Sequence, residues 1–339
     1  MLYYSQMNSS HRHLFPIVIV CITLLGLVAA NNLQNGRQLN GMPKIVISNS
    51  GPIENEPEST FFQDASETIN SAINSLAGSL ASTTGTVPVK TIPSVPSDGV
   101  SALAYIAGNV TTDQVYVSRN AKKVLPVASM SKLVTAFAAT DQLPATTTIT
   151  ITAEEANVPP DGSGIAIGET YTLQEILYPL LLDSSNVAAE ALASTTDRKN
   201  FLELMSSYAW EIGMSTAFFA DPSGVNPHNA ASAVDLFALA KYLYKYRPDV
   251  LALTRTASTS VATTTEHGSH DFVSTHPFVL DSRFIGGKTG RTPEAGDTML
   301  TIMNINNQPI AIVVLGSRYD GRAADTRKII EMVKGKMGE

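Results

Sequence analysis

FIGGKTGRTPEAGDTMLTIMNINNQPIAIVVLG, residues 284–316, reads as three strands laid side by side. Phe284 to Thr289, Thr298 to Asn304 and Ile310 to Leu315 draw on Ile, Val, Phe, Met and Thr, which suit a pleated surface. The connections between them are too short for a crossover, so the strands must pair antiparallel. Beyond this block, Thr326 to Met337 has a helical pattern and closes the chain. Ahead of it lie further helical patterns over Leu173 to Leu182, Val187 to Ala193 and Val234 to Tyr246. Earlier still, Ala102 to Ile106 and Gln114 to Val117 read as two strands joined by the turn-rich Gly108-Asn109 stretch. Strands, a helical middle, then strands and a helix predict an α/β fold: an antiparallel sheet flanked by helices, with a helical subdomain inserted in the middle.

The first strand of that block ends in Lys288-Thr289-Gly290, and two other short motifs precede it in order. Ser129-Met130-Ser131-Lys132 opens a predicted helix, because Pro126 can precede a helix but not interrupt it. Ser129 and Lys132, three apart, then share one face. A serine hydroxyl is a weak nucleophile until a base takes its proton. Lys132 can do so only as a neutral amine; burial and a nearby second cation, for which Lys288 is the candidate, would both lower its pKa. A helix start also aims backbone N–H groups at a developing oxyanion. Ser184-Ser185-Asn186 follows the leucine-rich Leu180-Leu181-Leu182-Asp183. There Ser184 can relay a proton to a leaving amine, and the Asn186 amide can hold a substrate peptide group. Ser118-Arg119-Asn120 has the same pattern, but only Ser184 lies after the nucleophile and follows a helix. In the third motif Lys288 supplies positive potential, Thr289 can bind a terminal carboxylate, and Gly290 lets a substrate backbone lie along the strand edge. Each motif alone has an ordinary explanation: a surface Ser and Lys on a helix, a helix cap, a hairpin turn. Together they compose an acyl-transfer site, with the helical subdomain between the first and third.

S-x-x-K, S-D-N and K-T-G form a known signature of penicillin-recognising serine enzymes, and the chain resembles one branch of them closely. From about Val100 to Val333 it is similar to the serine-type D-Ala-D-Ala carboxypeptidases, the low-molecular-weight penicillin-binding proteins, with their β-lactamase/transpeptidase-like fold. The likeness runs through Pro126-Val127-Ala128-Ser129-Met130-Ser131-Lys132, Gly168-Glu169-Thr170-Tyr171-Thr172 and Ala188-Ala189-Glu190-Ala191-Leu192-Ala193. It continues through Phe219-Ala220-Asp221-Pro222-Ser223-Gly224 and Gly286-Gly287-Lys288-Thr289-Gly290 to Val313-Val314-Leu315-Gly316. The spacings suit the family too, with Ser184 55 residues after Ser129 and Lys288 104 after Ser184. The resemblance implies an acyl-enzyme on Ser129 with Lys132 as its base, and release of the terminal D-Ala from peptidoglycan stem peptides. It makes β-lactams a second ligand class. It assigns Ser184, Asn186 and Lys288 to proton transfer and substrate binding, the backbone N–H groups of Ser129 and Arg291 to the oxyanion hole, and Arg322 to the substrate carboxylate.

Arg291 departs from the family, which more often has an aromatic, a His or a small polar residue after the glycine. A class A-like β-lactamase would need a Glu some forty residues beyond the second motif; Phe218 to Asn229 holds Asp221 and a turn-like Asp-Pro-Ser-Gly but no Glu. A penicillin sensor would need an output domain, and the residues before the apolar run are few. His267, His270 and His276 suggest a metal site, yet lack a supporting ligand pattern, so a polar loop is expected; no metal and no cofactor is implied.

The chain has 339 residues, 44% of them hydrophobic, and a net charge of -7, which leaves nucleic-acid binding without an electrostatic footprint. Its one cysteine, Cys21, permits no intrachain disulfide. Cys21 lies within the uncharged run LFPIVIVCITLLGLVAA, residues 14–30, so residues 1–30 read as a signal peptide or an N-terminal anchor in the cytoplasmic membrane. Val28-Ala29-Ala30 suits cleavage before Asn31, while the polar stretch that follows suits a retained anchor. Residues 31–95 read as a tether with a short helix near 61–80, and 96–339 as the catalytic domain, exported to the extracytoplasmic face.

Overall fold

The computed structural model describes residues 97–159 and 161–338. The apolar run and the tether with its expected helix lie outside the described residues, among which no helix is long and apolar enough to cross a membrane. At the centre is a five-stranded sheet of β1 (Ala104–Asn109), β2 (Val115–Arg119), β9 (Phe284–Thr292), β10 (Gly296–Ile305) and β11 (Gln308–Ser317), in the order β2-β1-β11-β10-β9. Every neighbouring pair is antiparallel. The β10–β11 turn is made by Asn306 and Asn307, at φ 52° and 59°, the double left-handed geometry that matches strand twist in a two-residue hairpin.

Both faces of the sheet are covered over β1, β10 and β11, so these strands alternate between two apolar environments, whereas the edge strand β2 is exposed or half-buried. Ala311, Val313 and Leu315 face the helical layer with Leu300 and Ile302. Ile310, Ile312 and Val314 face Ile329, Ile330 and Val333 of the closing helix, Arg322–Met337. Each of those three helix side chains contributes about 1.5–3 kcal/mol by leaving water.

The helices other than the closing one run from the first motif to the third, as expected. A 3₁₀ turn at Ala128–Met130 runs into α1 (Ser131–Gln142), whose residues 131–139 are all buried, so this helix forms the centre of the helical layer. Two short antiparallel pairs also form, β3 (Leu125–Pro126) with β6 (Ala230–Ala231) and β4 (Thr148–Thr150) with β5 (Thr170–Thr172). Next come α2 (Leu173–Tyr178), α3 (Asn186–Ser194), α4 (Arg198–Glu211), α5 (Ala233–Tyr246) and α6 (Pro248–Thr254). The predicted helix over 173–182 changes character at Pro179, where a wider π turn spans Pro179–Asp183.

The stretch around the histidines is in part the polar loop that the sequence suggested: His267 lies in the connection 262–269 between β7 (Ser258–Val261) and β8 (His270–Val273), and His270 opens β8. His267 stacks on Tyr171 at 4.6 Å, and His270 Nε2 lies 2.8 Å from Glu169 Oε1. His276 is a core residue, its Nε2 3.2 Å from the Leu300 carbonyl, and burial pushes its pKa down to about 3.

Candidate active site

The site forms where the 3₁₀ turn, the π turn and β9 meet. Ala128 takes a left-handed φ of 50°, which turns the chain sharply ahead of Ser129. Ser129 is half-buried and reachable, whereas Lys132, one turn further on, is fully enclosed at 0% exposure. The Lys132 Nζ makes three contacts: Ser129 Oγ at 3.1 Å, Asn186 Oδ1 at 2.8 Å and the Ser223 carbonyl at 2.7 Å. Two of those partners can only accept, so two N–H bonds are committed to them. The Asn186 orientation is set by its own neighbour, since Nδ2 donates to the Pro159 carbonyl at 3.0 Å. The remaining position on nitrogen faces Ser129: a third hydrogen in the ammonium, a lone pair in the amine.

Burial pushes the Lys132 amine down to about 7, against the opposing fields of Asp221, Asp161 and Glu190. The sequence named two causes for a neutral Lys132, burial and Lys288 as a second cation. Burial is the one that acts on it, and the mutual repulsion is felt at Lys288. That residue is 1% exposed, donates to the Thr289 carbonyl at 3.1 Å, and is held well below its ordinary value by burial and then by Lys132 and Arg322.

The π turn delivers Ser184 in a left-handed conformation, φ 67°, an uncommon one for serine. Among the described residues its hydroxyl oxygen is buried with no hydrogen-bond partner. A buried hydroxyl without a partner is costly, and this one belongs to the second motif. Asn186 was expected to offer its amide to substrate. In the structure it is first a strut: its oxygen goes to Lys132 and one amide hydrogen to Pro159.

Gly290 was expected to admit a substrate backbone, but its immediate neighbour is the protein's own first motif. A Cβ there would lie 2.5 Å from Thr298 Oγ1 and 2.9 Å from both Ala128 Cβ and Ser129 N. This packing brings the Ser129 backbone beside the Gly290–Arg291 segment. Thr289 Oγ1 shares a 2.8 Å hydrogen bond with Thr275 Oγ1. The Arg291 side chain is engaged elsewhere, paired with Asp297 and Asp320 and stacked at 4.1 Å over the Tyr319 ring. Arg322 begins the closing helix and donates from its guanidinium to the Gly290 carbonyl at 2.9 Å, so it does join the third motif.

Sequence reasoning read Asp221-Pro222-Ser223-Gly224 as a turn, which the structure has, but gave the segment no part in holding Lys132. Asp221 accepts from the backbone N–H groups of Ser223 and Gly224 and from that of Asn226, which folds 221–226 into a tight turn. Gly224 sits at φ 87° with its Cα against the Ala128 carbonyl; an added Cβ would lie 2.0 Å from that oxygen and 2.9 Å from Ser129 N. Gly224→Ala is therefore expected to displace the Ser129 turn and lower the acylation rate by about 100-fold, read with a fluorescent penicillin. An acylation rate equal to the parent's would show that the turn tolerates the shift.

A family model described as D-alanyl-D-alanine carboxypeptidase matches residues 90–319. The chain is similar to the D-alanyl-D-alanine endopeptidase of Pseudomonas aeruginosa, 29% identical over 224 residues that cover 64% of this chain and 72% of the relative. It is 28% identical to that of Haemophilus influenzae over 242 residues, 68% of this chain and 81% of the relative. Among solved structures, the D-alanyl-D-alanine carboxypeptidase of Mycobacterium tuberculosis H37Rv superimposes with a TM-score of 0.65 at 22% identity, covering 74% of this chain and 96% of that one. The Streptomyces K15 DD-transpeptidase gives 0.65 at 23% identity, over 70% and 98% of the two chains. At these identities the structural likeness carries the fold.

Proposed function

The chain belongs to the D-alanyl-D-alanine carboxypeptidase family, and from that premise we propose that it is a serine peptidase of peptidoglycan stem peptides that removes the terminal D-Ala through an acyl-enzyme on Ser129. The observation that carries this reading is the enclosed Lys132 amine, 3.1 Å from Ser129 Oγ with its other hydrogens committed to Asn186 and Ser223. Ser129 Oγ attacks the penultimate D-Ala carbonyl and passes its proton to Lys132 Nζ. The oxyanion is taken by the N–H groups of Ser129 and Arg291. The proton returns through the Ser184 hydroxyl to the departing D-Ala amine, and water then frees the acyl-enzyme. Thr289 and Arg322 receive the substrate carboxylate, with Lys288 beneath them. Penicillin enters by the same attack on its lactam carbonyl. The acyl-enzyme it forms is long-lived, because neither carboxylate near Lys132 with a turn or cap to hold is free to activate water. Asp221 accepts from three backbone N–H groups and Asp161 from three more. Glu190 is paired with Arg198. This also weighs against a class A-like β-lactamase. In the proposed layout, residues 1–30 export or anchor the chain, 31–95 tether it, and 96–339 work outside the cytoplasmic membrane.

A second reading, an endopeptidase acting within a cross-linked peptide, is favoured by the names of the curated relatives. The test incubates the full chain with a fluorescent penicillin, then with a pentapeptide and with a cross-linked stem-peptide dimer. Stable label with D-Ala released from the pentapeptide is the expected result. Cleavage of the dimer alone would favour the endopeptidase. Rapid loss of label with destroyed penicillin would mean a lactamase, and no label would remove the acyl-enzyme reading.

A further inference from the structure

The loop carrying Asp161 lies outside all three motifs, yet it grips the second one at several atoms. The Asp161 carboxylate is shared between its own loop and the start of α3. One oxygen accepts from the Ser163 backbone N–H at 3.0 Å and the Ser163 hydroxyl at 2.7 Å. The other accepts from the Ser185 hydroxyl at 2.9 Å, the Val187 N–H at 3.1 Å and the Asn186 N–H. Those N–H groups are the unpaired donors at the start of α3, where the helix dipole favours a negative charge. Ser185 caps the next donor, accepting from the Ala188 N–H at 3.1 Å. The same loop holds the Asn186 side chain through the Pro159 carbonyl. Asn186 is thus fixed at its backbone by Asp161 and at its amide by Pro159, and its oxygen meets Lys132 at 2.8 Å.

We propose that Asp161 is a positioning residue for the acylation step: its carboxylate pins the first turn of α3 so that Asn186 holds the Lys132 amine against Ser129, and its charge helps set the pH at which that amine works. This rests on the function proposed above. Burial pushes the Asp161 carboxyl up, but the Ser163 backbone and hydroxyl, Val187 and Ser185 outweigh it, so the group stays below its ordinary value and ionised. From that position it favours the protonated form of Lys132. The other charges facing Lys132 are Asp221 on the 221–226 turn, Glu190 on α3 and Lys288 on β9. Asp221 serves its own turn and Glu190 pairs with Arg198. Asp161 alone joins the charge to a hydrogen-bonded path through Asn186.

Acylation needs the amine, so its rate rises as Lys132 loses its proton, with a midpoint near the value of about 7. Taking away the Asp161 charge makes that proton easier to lose, which moves the midpoint to lower pH. The experiment is the pH profile of acylation of the full chain by a fluorescent penicillin. For Asp161→Asn we expect the midpoint to fall by about one unit and the plateau rate by about tenfold. Ser163→Ala keeps the charge and should leave the midpoint where it was. Asp161→Glu restores the charge one methylene further out, and should return the midpoint to the parent's while the rate stays reduced. A lowered rate at an unmoved midpoint in Asp161→Asn would make the residue a loop cap only and overturn the proposal. Should that variant fail to fold, Asp161→Glu decides alone: a rate equal to the parent's overturns it. A parent that takes no label at any pH overturns the function and this inference together, whereas a labelled parent matched in rate and midpoint by Asp161→Asn overturns this inference only.

Discussion

Ser129→Ala is expected to take up no covalent penicillin and to lose on the order of 10⁵–10⁶ in the rate of D-Ala release. The size follows from what the substitution removes. In the proposed mechanism Ser129 supplies the only atom that bonds to the acyl group, and Lys132, 3.1 Å from its hydroxyl, would have no other proton to take. The fold should survive, since Ser129 is half-buried and, among the described residues, its hydroxyl bonds only to Lys132. The measurement is paired: intact-mass spectrometry after exposure to penicillin, and thermal unfolding. An unlabelled variant with a parent-like melting temperature assigns the loss to chemistry. A labelled variant would move the nucleophile elsewhere, with Ser131 and Ser184 the nearest hydroxyls of the motifs.

Lys132→Met should be nearly as severe, about 10⁴ in the acylation rate, and should also abolish the pH dependence. In the parent, acylation is expected to rise with pH through about 7, where burial places the pKa of the enclosed amine. A general base with its pKa near the working pH is matched to its task. Methionine fills the space without a proton site, so the residual rate should be flat over the same range. Stability has to be read beside it. The exchange leaves Asn186 Oδ1 and the Ser223 carbonyl without their donor, at about 1–3 kcal/mol each, partly offset by burying an apolar chain. Lys132→Arg gives the complementary result, since a guanidinium stays charged and its acylation should be slow at every pH. An inflection near 7 that persists in Lys132→Met would assign the titration to another group.

The framework of the fold was legible because its signals are local. Strand runs of Ile and Val, hairpin-length connections and helical periodicity need only neighbouring residues to be read. The helices Arg198–Glu211 and Pro248–Thr254 and the hairpin at 258–273 were not singled out. The hairpin's segment is polar and carries histidines, and its strandedness comes from pairing and from contacts such as His267 on Tyr171. Within the site, the three motifs singled out Ser129, Lys132, Ser184, Asn186 and Lys288, and the resemblance added Arg322, which contacts the Gly290 carbonyl in the structure. The tasks of several differed. Gly290 is small because Thr298 and Ala128 press on it, and the Arg291 side chain is drawn away by two aspartates. Nothing near either residue in the chain announces these partners.

By itself, then, the sequence determined which groups could do acyl-transfer chemistry, in what order, and on what class of fold, since residue type and spacing along a helix or strand are local properties. The tertiary structure decided which of those groups are ready to act. Only packing encloses Lys132 far enough to free its amine near neutral pH, brings the Ser223 carbonyl and Asn186 to its hydrogens, and leaves the Ser184 hydroxyl without a partner. Desolvation and hydrogen-bond geometry depend on atoms 54 and 91 residues apart in the chain, and the spacing of neighbours carries no record of them.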